Sequence, residues 1–190
     1  MAKSTKRSVD SSEQVLGDAP PNHLIPFLGH KNGWVRHHAR ECLVTVGKPA
    51  VPELIEALRN KNEDIRWEAA KTLGQIKDPM AAPALVKALS DKNFGVRWLA
   101  AEGLIIMRNA AIPPLLQELI QHPDVIWLRQ GAYHVLHDLA KKRGFSQQVA
   151  PVLAALEGLE PALKVPMAAK NLLDTITIMK KPRVRRRLEY

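Results

Sequence analysis

Cysteine is almost absent: Cys42 is the only one in 190 residues. A single thiol excludes an intrachain disulfide and any zinc site built from cysteine pairs, and it fits a reducing compartment, so a cytoplasmic location is expected. Long apolar runs are missing too. No stretch approaches the roughly 18 apolar residues of a membrane helix, and the start MAKSTKRSVDSSEQ has no apolar core of a secretion signal. None of the ten glycines falls into GxGxxG or GxxxxGK spacing, so no phosphate-cradling loop of those types is encoded. Aromatic residues make up only 5% of the chain, so the places of its four tryptophans carry information.

What is present is the composition of a folded soluble domain, 46% apolar and 25% charged. The net charge of +9 is unevenly spread. Residues 1–19 balance Lys3, Lys6 and Arg7 against Asp10, Glu13 and Asp18, whereas KKPRVRRRLEY at the end carries a net +5 and leaves +4 for the body. The expected organisation is therefore a flexible segment at 1–19, a folded body at 20–178 and a basic tail at 179–190. Lys180, Lys181, Arg183, Arg185, Arg186 and Arg187 make that tail either a solvated end or an electrostatic arm for an acidic partner or nucleic acid.

The body repeats itself. Arg36, Arg66, Arg97 and Arg129 recur at spacings of 30, 31 and 32 residues. An aliphatic residue precedes each, namely Val35, Ile65, Val96 and Leu128. Ala39, Ala69, Ala100 and Ala132 stand three positions after the arginine, and Leu43, Leu73, Leu104 and Leu136 seven after it. Pro52, Pro83 and Pro113 open a shorter segment in their units, where proline costs a helix nothing. Each unit thus reads as two helices joined by a polar turn. A fifth, degraded unit covers 149–178, with Val165 in place of the arginine, and 141–148 reads as a loop before it. At about 100° per residue the aliphatic, alanine and leucine positions share one narrow stripe, which is the expected core. One helix pair cannot bury such a stripe alone, so the units must stack. The arginines lie at its edge and are expected to form a structural ladder, each bonding to a polar turn residue of an adjacent repeat such as Asp91 or Asp124.

The pattern DIRWEAAKTLGQIKDPMAAPALVKALSDKNFGVRWLAAEGL resembles the short HEAT-like repeats of phycobilisome lyase subunits, and the resemblance covers about residues 21–178. It implies an all-α fold, a right-handed α-solenoid of about five stacked two-helix repeats. It also implies that the outer face of each second helix lines a concave groove.

All four tryptophans fall on that face. Trp67 and Trp98 follow the repeat arginine, and Trp34 and Trp127 stand two before it, so the pairs are three apart in the repeat frame and share a side of the helix. His37 and Gln130 share the first of these positions. Beside them lie His38, Glu68 and Leu99, then Glu41, Lys71, Glu102 and His134, with Phe94 at the turn. Two explanations stand: lateral packing between repeats, or a groove in which tryptophans anchor a protein or peptide. The second gives the expected function, a non-catalytic adaptor or scaffold with no cofactor.

Other chemistries have weaker signals. His37, His38 and Glu41 lie within one turn, and His134 and His137 one turn apart, spacings that metal sites use. The HEAT-like deoxyhypusine hydroxylases hold iron through His-Glu dipeptides, which this chain lacks, and no metal is expected. The HEAT-like alkylpurine DNA glycosylases suggest a nucleic-acid groove, yet Glu41, Asp64, Glu68 and Glu102 oppose a phosphate-tracking surface. The lyase-type resemblance implies a bilin lyase or chaperone role as a further alternative. Cys42 reads as a small buried hydrophobe.

Overall fold

The computed structural model describes residues 20–141 and 146–180, with only the backbone of Lys180. The basic side chains of the tail, the segment 1–19 and residues 142–145 lie outside the described residues. Ten α-helices and four 3-10 turns, with no strand, occur among the described residues. The first unit has a single helical turn, α1 (Pro21–Leu24), running into a 3-10 turn, then α2 (Gly33–Val46). Three fuller pairs follow: α3 (Val51–Ala57) with α4 (Glu63–Ile76), α5 (Ala82–Ala88) with α6 (Phe94–Met107), and α7 (Ile112–Gln121) with α8 (Ile126–Lys141). The chain ends in α9 (Ser146–Glu157) and α10 (Pro161–Lys180). No single helix among the described residues is long and apolar enough to cross a membrane.

The three best-formed second helices begin alike. Asn32, Asn62 and Asn93 are their N-caps, and each side-chain oxygen accepts from the N–H two residues on, at 2.9, 2.9 and 2.7 Å. They also end alike: Gly47, Lys77 and Arg108, each eleven residues after the repeat arginine, have positive φ of 72°, 61° and 54°. These corners turn the chain back towards the other layer.

The second helices α2, α4, α6 and α8 stack side by side, and α5 packs on α7 in the other layer. The stripe facing inward is fully buried at Ala39, Ala69, Ala100 and Ala132 and at the four leucines. Small residues let the helices approach. A Cβ on Gly74 would lie 3.3 Å from the Cα of Gly103, so α4 and α6 meet backbone to backbone.

The last pair departs from the expected fifth repeat. In a regular stack α9 would lie on α7; instead α9 packs on α8, and α10 lies against α7, so the two layers are exchanged. Val165, Ala169 and Leu172 form the buried stripe of α10, and Val165 is packed inward where the other units place an arginine at a turn. The expected loop at 141–148 is also shorter, because Lys141 ends α8 and Ser146 begins α9.

Arg108 and Gly47 occupy the same corner with nearly the same backbone, φ 54° ψ −122° and φ 72° ψ −133°. That region is costly for a residue with a Cβ, by about 1–3 kcal/mol, of which glycine returns about 0.5–1 in unfolded-chain entropy. Arg108→Gly is therefore expected to stabilise the fold by about 1 kcal/mol, raising Tm by about 2–4 °C. A lower Tm in a thermal scan would refute strain at this corner.

Candidate functional site

The site is built on the repeat arginines, and their geometry corrects the expected ladder. Each donates from Nη1 to the carbonyl six residues earlier in its own turn: Arg36 to His30 at 2.8 Å, Arg66 to Asn60 at 2.9 Å, Arg97 to Asp91 at 2.8 Å and Arg129 to Pro123 at 2.6 Å. The shared job is therefore to clamp the turn that starts each second helix. Among the described residues the expected bond to a turn residue of the next repeat is made by Arg66 alone, whose Nε and Nη2 donate to Asp91 at 2.7 and 3.0 Å. The hydrogen-bonded Asp91 carboxylate raises the Arg66 pKa further. Arg36 reaches Glu68 at 3.6 Å. Among the described residues neither Arg97 nor Arg129 has a carboxylate partner, and Arg97 makes no bond to Asp124.

Glu68, expected in the groove, is buried. It receives Arg40 Nη1 at 2.7 Å, and both side chains are about 95% covered, at 6% and 5% exposure. This pair joins α2 to α4 and removes Glu68 from any outer surface. Arg40 was not singled out from the sequence, although a signal existed: the other units carry Ala70, Ala101 and Tyr133 at that place. An arginine at a mostly small position needs a buried acceptor.

The tryptophans divide. Trp67 lies half-buried against the core, and a Cβ on Gly95 would come within 2.9 Å of its Cδ1 and Nε1. The indole thus packs close against the start of the next repeat, with Lys71 Nζ 4.8 Å from its ring centroid. For Trp67 the lateral-packing explanation holds. Trp34 is 59% exposed and stacks on His38 with centroids 5.5 Å apart. Trp98 and Trp127 are each 48% exposed, and Phe94 is 68% exposed.

The last three rings converge between repeats three and four. Phe94 and Trp98 have centroids 6.4 Å apart, and Trp98 stacks on His134 at 5.1 Å. The Arg97 guanidinium lies 4.1 Å from the centroid of Trp127 and 5.6 Å from that of Phe94. Together with Gln130 these side chains line a cavity of about 290 Å³, backed by Ala101 and Gly131. Beside it, His134 Nε2 is 3.3 Å from Glu102. Lys71, Leu99 and Glu102 line a separate cavity of about 190 Å³.

The remaining expected residues stay apart from this cup. His37 and Glu41 form an exposed pair on α2 at 3.9 Å, and His38 is taken by Trp34. No group of three or more His, Cys, Asp or Glu side chains able to hold a metal occurs among the described residues. Cys42 is buried, and burial first, then the charge of Glu41, pushes its thiol pKa up. Such a thiol is a poor nucleophile.

A family model described as HEAT repeats matches residues 21–105 and, in a second frame, 51–137. No curated protein matches the sequence. A solved structure described as an engineered protein aligns with 92% of this chain and 95% of its own at 18% identity, with a TM-score of 0.38.

Two substitutions separate structural from surface roles. Glu68→Ala leaves the buried Arg40 with only the half-exposed Glu41, 3.5 Å away, and is expected to cost about 2–4 kcal/mol in chemical denaturation. Trp67→Ala, which opens a gap over Gly95, should cost about 2 kcal/mol or more, whereas Trp34→Ala should stay within about 0.5 kcal/mol of the parent. Equal stability of the two tryptophan variants would contradict this division.

Proposed function

Since the chain belongs to the HEAT-repeat family, we propose that it is a non-catalytic protein-binding adaptor that takes a polypeptide segment in the aromatic cup between repeats three and four. The observation that carries this is the convergence of Phe94, Trp98 and Trp127, all about half exposed or more, around one cavity of about 290 Å³. Exposed rings gathered at one place are a standing cost unless something covers them. An indole buries about 150–250 Å², so covering the exposed half of one is worth about 2–3 kcal/mol before the costs of association. Gln130 and His134 supply polar contacts at the wall. The basic tail, in the same reading, is a second, electrostatic contact for an acidic partner.

Single-stranded nucleic acid and a tetrapyrrole, the latter in line with the lyase-type resemblance, are the other occupants raised by the sequence. Both belong in the test as competitors. Against nucleic acid stands the mixed charge of the face, where Glu41, Asp64 and Glu102 are interleaved with Lys71.

A random peptide library displayed against the full chain tests the proposal. Peptides should be enriched, and Trp98→Ala or Trp127→Ala should weaken the selected ones by about tenfold or more with little change in Tm. Trp34→Ala should bind as the parent does. Enrichment no better than that on the Trp98→Ala/Trp127→Ala double variant, or tight capture of an oligothymidylate or biliverdin at the cup instead, would sink the adaptor reading.

A further inference from the structure

The repeat arginines share one bond and differ in another. Their Nη1 groups all clamp a carbonyl six residues back, which fixes each guanidinium. The other edge of the fork, Nε with Nη2, is the variable part. Arg66 gives that edge to the carboxylate of Asp91 in the following turn, in two bonds of 2.7 and 3.0 Å. Asp91 stands six residues before Arg97, and the position six before Arg129 is Pro123. The two positions are structurally equivalent, because Arg129 holds the carbonyl of Pro123 as Arg97 holds that of Asp91. So where Arg66 meets a carboxylate, Arg97 meets a ring with no side-chain acceptor.

Arg97 is nevertheless held in place. Nη1 donates to Asp91 at 2.8 Å and to Lys92 at 3.1 Å, and the guanidinium is stacked on Trp127. Its Nε and Nη2 have no hydrogen-bond or ion-pair partner among the described residues. Glu102 beside the cup is paired with His134 at 3.3 Å. A fixed guanidinium with one fork edge open, on the wall of an apolar cavity, is preorganised for bidentate carboxylate recognition.

Resting on the adaptor reading, we infer that the cup recognises an acidic side chain of the partner polypeptide: its carboxylate docks on Nε and Nη2 of Arg97 as Asp91 docks on Arg66, and an apolar neighbour in the same segment fills the space between Phe94, Trp98 and Trp127. The repeat thereby supplies the template for its own ligand. Charge steers the acidic group, and the rings select the residue next to it.

The test uses the full chain, peptides selected as above and synthesised with acetylated and amidated ends, and two variants. Enriched peptides should carry Asp or Glu at a fixed spacing from an aromatic or large aliphatic residue. Changing that acid to its amide should weaken binding by about tenfold or more. Arg97→Lys, which keeps the charge and loses the fork, should weaken the acidic peptide while leaving its amide form nearly unchanged. Because Arg97 also clamps a turn, Pro123→Asp gives an independent arm: it restores the missing internal carboxylate, so it should raise Tm and weaken the acidic peptide by a comparable factor. Amide and acid peptides of equal affinity, or unimpaired binding to Pro123→Asp, would overturn the carboxylate assignment. Neutral peptides that bind and are lost in Trp98→Ala would overturn it too but leave the adaptor reading standing, whereas no enriched peptide at all would overturn both.

Discussion

The bond from each arginine to the carbonyl six residues before it is the constraint on which the rest depends. It closes the turn between the two helices of a unit, and the turn decides where the second helix starts. In three units the same segment is closed twice over: the side chains of His30, Asn60 and Asp91 accept the N–H of the capping asparagines at 3.1, 2.9 and 2.8 Å. The asparagines in turn cap the helices. With the start fixed, the alanine three residues after the arginine faces the neighbouring helix in every unit, and the stack can form at short distance. Among the described residues the fourth turn, Pro123-Asp124-Val125, is closed by the arginine clamp and by a backbone bond from the Val125 N–H to the carbonyl of His122 at 3.4 Å. The place that Asp91 holds in the third turn is Pro123 here, which has no side-chain acceptor.

Junctions between repeats explain why equivalent tryptophans meet different fates. Trp67 and Trp98 hold the same position in their helices. What differs is the residue two places before the next arginine, Gly95 in one case and Trp127 in the other. Gly95 has no side chain, and the indole of Trp67 occupies the space that a Cβ there would need. At the next junction Trp127 occupies that place, so Trp98 stays up and stacks on His134. A single glycine-for-tryptophan difference thus converts a packing residue into the wall of a cavity. Arg97 follows the same logic, since its face is covered by Trp127 rather than its edge by a carboxylate.

Much of this fold was legible in the sequence because it rests on periodicity. The repeat arginines, the inward alanines and leucines and the helix pairs follow from spacings of 30 to 32 residues and a helical period. Contacts between units were less legible. Glu68 falls on the outer face of its own helix in an angular projection, yet the acidic group is drawn inward by Arg40 of the preceding unit. A projection of one helix contains no information about its neighbour. The positive φ at Lys77 and Arg108 was hidden because neither residue is glycine. The exchange of layers at α9 and α10 was hidden because a degraded unit keeps the composition of a repeat after losing its clamp. Of the aromatic cup, the sequence named Phe94, Trp98, Trp127, Gln130 and His134 but placed Arg97 in a ladder that stops one repeat earlier.

A repeat protein offers an internal control that other folds lack. At the junction of repeats two and three two groups find internal partners: the indole of Trp67 packs against Gly95, and the guanidinium of Arg66 holds Asp91. At the junction of repeats three and four both solutions are withdrawn together, by Trp127 and Pro123. Either change alone is an ordinary surface variation. Together they leave half-exposed rings around a single cavity and an Arg97 that is held by its own turn and by the face of Trp127 rather than by a carboxylate. The carboxylate and the glycine that serve one junction both give way at the next, to Pro123 and Trp127, and for that reason the exposed rings and the guanidinium of Arg97 meet around one cavity.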